Sequence, residues 1–241
     1  MGRHGTIAGR KAAQDSKRAA LFTKYAKAIT IAAKDGGDPD YNPSLRLAID
    51  KAKGISMPND NIKRAIMKGT GELAGETLTE QTFEGYGASG VAVIVEAVTD
   101  NTNRTTAAVR SCFDKYGGNL GTPGCVSYMF SRKGVLVLER EDSMDEDTIL
   151  EVALEAGADD METNEDSFVI YTDQGAFAEV HKNLTEAGYN FISAEIERIP
   201  SMEQTPKDSD LKNLKKMIEV LEDNEDVQNV YTNSSIDLYE E

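Results

Sequence analysis

The apolar residues of this chain change their period once, near Gln81. Before that point they recur at helical spacing. After it the spacing becomes extended, in β-branched runs, and helical segments return only between strands. A chain patterned this way predicts a helical domain first and mixed structure behind it, an α+β multidomain fold.

The longest helical stretch is Arg10–Lys34, which holds no Gly or Pro. From Leu21 onward, Leu21, Phe22, Tyr25, Ile29, Ala32 and Ala33 share one face, and Lys24, Lys27 and Lys34 lie on another. Ahead of Leu21 the cations Arg10, Lys11, Lys17 and Arg18 surround the helix, with no large apolar residue among them. That half is expected to be an arm, helical against a partner and loose without one. Asp35-Gly36-Gly37-Asp38-Pro39 must end the helix. Asn42-Pro43 reads as a cap with Pro at the first helical position, opening a second helix to Gly54 with Leu45, Ala48, Ile49 and Ala52 inward. A third helix starts at Met57-Pro58-Asn59-Asp60, turns Ile62, Ala65 and Ile66 inward, and stops at Gly69-Thr70-Gly71.

Beyond Gln81, TFEGYG reads as a short strand with a turn, and VAVIVEAV as a strand covered on both faces. Asn103 is placed to cap a helix running to Tyr116, and Cys125–Phe130 reads as another strand. Residues 134–199 give strand, helix, strand, strand, helix, strand, a ferredoxin-like order. After a linker from Pro200 to Pro206 come an amphipathic helix (208–223) and a last strand, Val227–Tyr231. One helix and one strand cannot stand alone, so they are expected to return to the sheet of residues 80–132. The expected domains are therefore 1–75 (helical, basic), 76–133 with 200–241 (middle, α+β), and 134–199 (inserted, ferredoxin-like).

The charge is segregated along the chain. Residues 1–75 carry 14 Lys and Arg against 7 Asp and Glu, while the remaining 166 carry 12 against 35, giving a whole-chain net charge of −16. A basic end on an acidic body points to a polyanion at that end, with DNA or ribosomal RNA as the partner. Phosphate contacts need cations at successive positions and carry no sequence code. The candidate contacts are Arg10, Lys11, Lys17, Arg18, Lys24 and Lys27, with Arg46, Lys51, Lys63, Arg64 and Lys68 as a second set. The competing reading is a solvated surface, with Asp15, Asp50 and Asp60 as local partners.

Other motifs carry less. Gly85-Tyr86-Gly87-Ala88-Ser89-Gly90 fits G-x-G-x-x-G, but a strand follows it where a dinucleotide site needs a helix. It reads as a hairpin turn, with Tyr86 either exposed for base stacking or packed at the rim. Asn103-Arg104-Thr105 reads as a helix start, with Arg104 a further phosphate candidate. Two cysteines and two histidines suit neither a disulfide scaffold nor a metal site, and the acidic runs 139–147 and 159–166 lack EF-hand spacing. No convergent catalytic set, no cofactor motif and no small-molecule site is evident, and no apolar run approaches the ~18 residues of a membrane span. A non-enzymatic, cytoplasmic protein is expected.

Taken together, RKAAQDSKR, FTK, NPSLRLAIDKA, MPNDNIKRAI, KGTGE, FEGYG, NRT, GGNLG, VSYMF, RKGV and DVQNVY, in that order, resemble the YebC/PmpR family. The resemblance runs from Arg10 to Tyr231. It implies a cytoplasmic three-domain protein without enzymatic activity, a helical N-terminal domain preceding two α+β domains. Bacterial members are described as probable transcriptional regulatory proteins that bind DNA. A mitochondrial relative is a translational activator for a cytochrome oxidase subunit, and members are credited with relieving ribosome stalling at proline-rich stretches. This chain departs from the family pattern at its start, MGRHGTIAGRK, which lacks the usual Trp. It also has Ala88-Ser89 in place of Pro-Gly, and Asn59 where Lys is common. The resemblance, with the basic end, thus implies a DNA-binding transcriptional regulator, although no helix-turn-helix with a recognition helix can be assigned, and a ribosome-associated translation factor is the alternative.

Overall fold

The computed structural model describes residues 7–75, 77–141 and 144–238, with side chains from Arg18 onward. Helix α1 (Ile7–Ala32) is continuous and closes in a 3-10 turn, Ala33–Asp35. The half expected to be loose is helical here, because from Arg10 on it is built of strong helix formers with nothing to interrupt them. Helices α2 (Pro43–Gly54) and α3 (Asn59–Gly69) pack on it around Ile29, Ala33, Leu45, Ala48, Ile49, Ala52, Met57, Ile62 and Ala65. Leu21, expected inward, is 42% exposed, so the buried stripe of α1 is narrower than its apolar pattern suggests. Helix α3 lies so close to α1 that a Cβ at Gly69 would collide with the Thr30 carbonyl oxygen and the Ala33 methyl.

Asn42 holds the α1–α2 corner. Its side-chain oxygen accepts from the Leu45 N–H at 3.0 Å, capping α2, while its amide donates to the carbonyls of Ala32 (2.7 Å) and Gly36 (2.8 Å). Asn42→Asp keeps the cap but turns a carboxylate toward two carbonyl oxygens. It is expected to cost at least as much as Asn42→Ala, on the order of 2 kcal/mol for either, measured by urea denaturation.

The chain continues through β1 (Thr79–Tyr86), β2 (Ala92–Thr99), α4 (Thr102–Lys115) and β3 (Asn119–Leu120). Then come β4 (Phe130–Glu139), α5 (Glu146–Glu155), β5 (Asp160–Thr163), β6 (Ser167–Asp173), α6 (Phe177–Glu186) and β7 (Phe191–Pro200). Helix α7 (Asp208–Glu222) and β8 (Val227–Thr232) complete it. Two compact units result: Met1–Ser127 with Glu203–Glu241, and Tyr128–Met202 between them in the chain.

In the first unit the antiparallel sheet order is β3-β1-β2-β8, so the last strand does return to pair with β2. Central β2 is buried on both faces, with Ala92–Val95 inaccessible, which explains its unbroken apolar run. Its Val93, Val95 and Ala97 belong to one core with Val109, Cys112 and Phe113 of α4 and Leu214, Met217, Ile218 and Leu221 of α7. The cap of α4 is Asn101, whose side chain accepts from the Arg104 N–H, rather than Asn103. Of the expected strand Cys125–Phe130, only Phe130 is in a strand, as the first residue of β4. Glu84 takes the N–H groups of Gly124 (2.9 Å), Val126 (3.0 Å) and Ser127 (2.8 Å), leaving them unavailable to a ladder, and the chain turns there. Burial works against the Glu84 charge, yet these N–H donors hold its carboxyl below the usual range. Glu84→Gln, which turns an NH2 toward those donors, is expected to destabilise the unit by about 1–3 kcal/mol in the same denaturation assay.

The second unit orders its antiparallel strands β5-β6-β4-β7. Each of its two β-α-β crossovers skips over a strand inserted between its ends, the split βαβ arrangement expected from the sequence. Pairing runs from Phe130↔Pro200 outward, so β4 begins before the Gly134 that hid its start. His181 sits between the rings of Phe177 and Phe191 (centroids 6.2 and 5.2 Å).

Candidate nucleic-acid interface

The basic candidates separate into two groups once folded. Lys24 and Lys27 of α1 face the turn between α7 and β8, which reads Glu222-Asp223-Asn224-Glu225-Asp226. Lys27 Nζ is ion-paired with Asp226 and also donates to the Glu225 carbonyl (3.3 Å). Asp226 has a side chain only 3% exposed. It also accepts from Arg104 Nη2 (2.8 and 3.0 Å) and from the Thr105 hydroxyl (2.7 Å), which lies 2.8 Å from the Thr99 hydroxyl. Burial opposes ionisation of Asp226, but Lys27, Arg104 and Thr105 outweigh it and hold the carboxyl at about 2. Arg104 adds a bond to Asp100 (2.8 Å). One buried carboxylate thus ties α1 and α4 to the turn before β8, and reaches Thr99 of β2 through the Thr105 hydroxyl.

Lys27 and Arg104 therefore hold the fold together, and neither presents an uncommitted charge to a polyanion. Lys24, half-buried, offsets part of the burial that raises the Glu222 carboxyl. Of the second set, Arg46 bonds the Pro39 carbonyl (3.1 Å) and Asp40 (2.8 Å), and Lys51 is half-buried and already partnered. Arg10, Lys11 and Lys17 lie on the α1 backbone, with side chains outside the described residues. Arg18 is exposed, its guanidinium 5.4 Å from the Phe22 ring centroid.

Lys63, Arg64 and Lys68 differ from these. All three are exposed on α3, whose Ile62 and Ala65 are buried. Each lacks an ion pair or hydrogen bond among the described residues. Arg64 and Lys68, one turn apart, line a cleft between α1 and α3. Its volume is about 360 Å³, and its other walls are Phe22, Thr23, Ala26, Lys27, Thr30, Asn61, Ala65 and Leu78. The sequence reading weighted α1 over α3. Folded, the uncommitted charge sits mainly on α3.

The remaining motifs are structural. The G-x-G-x-x-G stretch is the β1–β2 hairpin turn, and a Cβ at Gly85 would come 2.8 Å from Phe113 Cε1. Tyr86 is half-buried and donates its hydroxyl to the Cys125 carbonyl (3.2 Å), so it packs at the rim rather than offering a stacking face. Burial pushes the Cys112 thiol up to about 11, and burial with the Glu84 charge raises Cys125. No group of three or more His, Cys, Asp and Glu among the described residues is placed to hold a metal. No helix among them is long and apolar enough to cross a membrane.

Two family models match the chain: the TACO1/YebC protein N-terminal domain over residues 3–72, and the TACO1/YebC second and third domain over residues 78–234. A probable transcriptional regulatory protein of Listeria monocytogenes is 53% identical over 231 residues, covering 95% of this chain and 96% of its own length. One of the same description from Clostridioides difficile is 50% identical over 239 residues, 98% of this chain and its own full length. The crystal structure of a conserved hypothetical protein from Aquifex aeolicus superposes with a TM-score of 0.82 at 42% identity, over 92% of each chain. The order of motifs, the fold and the length of these matches agree: the chain belongs to the TACO1/YebC family.

Proposed function

We propose that this protein is a non-enzymatic, cytoplasmic regulator of gene expression that binds nucleic acid through its helical N-terminal domain, acting as a DNA-binding regulator of transcription. The observation that carries the binding reading is the set of uncommitted cations on α3, Lys63, Arg64 and Lys68, in a domain whose other described cations are largely paired. Phosphate contacts supply sequence-independent affinity, and the acidic remainder repels indiscriminate binding. The names carried by the relatives favour transcription.

A second reading, a ribosome-associated translation factor, is favoured by one feature. The cations border a concave cleft, whereas reading a duplex calls for an element that protrudes into a groove. Folded ribosomal RNA offers loops and splayed bases that enter clefts. Sedimenting lysate through sucrose at low and high salt separates the two. Salt-sensitive migration with ribosomes, lost in a Lys63→Glu/Arg64→Glu/Lys68→Glu variant, supports translation. Retention of a promoter duplex against excess competitor DNA supports transcription. Failure of the wild type in both assays contradicts nucleic-acid binding itself.

A further inference from the structure

We infer that the α1–α3 cleft is a subsite for a single unpaired nucleotide of a single-stranded RNA segment, with the base inside and its phosphates at the rim. The inference rests on the second, RNA-binding reading above and adds which part of the ligand enters the protein.

The cleft is graded in polarity. Its apolar lining is Phe22, Ala26, Ala65 and Leu78, with buried Thr30 beside them. Lys27 also lines it, but its amine is ion-paired with Asp226. The free charge stands at the mouth, on Arg64 and Lys68. A phosphate therefore gains most at the rim, and a flat, weakly polar group gains most within. At about 360 Å³ the cleft lies near the small end of the ~300–1,000 Å³ range of ligand pockets. Phe22 supplies a stacking surface, and Arg18 over its ring already forms a cation–π pair that a base can extend or replace. Thr23 donates to the Ala19 carbonyl (3.1 Å), which leaves its oxygen free to accept from a base edge, and Asn61 adds an amide from α3. A paired duplex has no group that can enter such a space. An unpaired strand presents base and phosphate together.

The test is fluorescence anisotropy of the full chain with two labelled probes. One is an oligouridine RNA of about 12 nucleotides, within the ~4–16 that such sites span, and the other is a DNA duplex of similar length. Phe22→Ala is expected to weaken RNA binding by about tenfold, the size of one lost stack, and to leave duplex binding within about twofold. Because Phe22 also touches the helical core, the wild type is irradiated in parallel with RNA carrying 5-iodouridine, which is expected to cross-link the α1 peptide at Phe22. RNA binding unchanged by Phe22→Ala, equal loss for both probes, or cross-links confined to other peptides would overturn the cleft assignment. If the wild type holds neither probe, the broader nucleic-acid reading falls with it. If it holds both and only the cleft signals are missing, the broader reading survives and the cleft does not.

Discussion

Replacing Asp226 by Asn is expected to destabilise the first unit by about 3 kcal/mol, the largest loss any single polar substitution in this chain should cause. Asn preserves the shape of the side chain and its bond from Thr105, but the charge that faces Lys27 and Arg104 disappears. Arg104 is half-exposed and keeps Asp100. Lys27, with a side chain only 12% exposed, keeps just a carbonyl and so carries most of the penalty. The effect should depend on pH in a defined direction. The folded carboxyl sits at about 2, below its ordinary 3.8, so its contribution is fully present above the ordinary value and is lost as pH falls toward the folded one. The linked stability is about 2 kcal/mol, and the gap between wild type and Asp226→Asn should stay constant from about pH 5 to 8 and narrow by about that amount as pH falls from about 4 toward 2. Urea denaturation at several pH values reads this directly. A gap that persists undiminished at about pH 2.5 would place the role of Asp226 in packing rather than charge.

Reversing the charges of Lys63, Arg64 and Lys68 to Glu together is expected to weaken nucleic-acid binding by on the order of 100-fold or more at moderate salt. Each lost phosphate contact lowers the salt slope by about 0.7 for a single strand and 0.9 for a duplex, so three should remove about 2 to 3 units. Stability should hardly change, since all three side chains are exposed and unpaired among the described residues. Lys24 and Lys27 make poor choices for such a test. Lys27→Glu would set two carboxylates face to face at Asp226, and Lys24→Glu would add charge beside Glu222, so lost binding would be confounded by lost fold.

Local structure in this chain is written locally. Asn42-Pro43, Gly69-Thr70-Gly71, the period of α2 and α3, and the βαββαβ order each depend on neighbours within a few turns or strands, and the sequence carries them plainly. The pairing of β8 with β2 was inferable because an isolated helix and strand lack a partner. What stayed hidden depends on distant residues. Lys27 and Asp226 are 199 positions apart, so on sequence Lys27 looks like any solvent lysine on a helix face. Arg104 offered only its i,i+4 partner Asp100 as a hint. Glu84 diverted the Cys125–Phe130 run from a strand to a turn from some 40 residues away. The candidate interface was legible as a basic end but not as a surface. Charge counting cannot tell a lysine that closes the fold from one that faces solvent, and the α1–α3 cleft arises only when Phe22 and Arg64 meet.

In the proposed function nucleic acid is gripped by the exposed charge of α3 and the neighbouring part of α1, with the rest serving as an acidic scaffold. The most direct measurement is equilibrium binding to RNA and DNA across a salt series for three full-length proteins. These are the wild type, the α3 triple reversal, and a control reversing Lys182, Lys207 and Lys212, which are exposed elsewhere and change net charge equally. A steep salt slope retained by the control and largely lost by the α3 variant is expected. Equal losses in the two variants, or undiminished binding by the α3 variant, would contradict it.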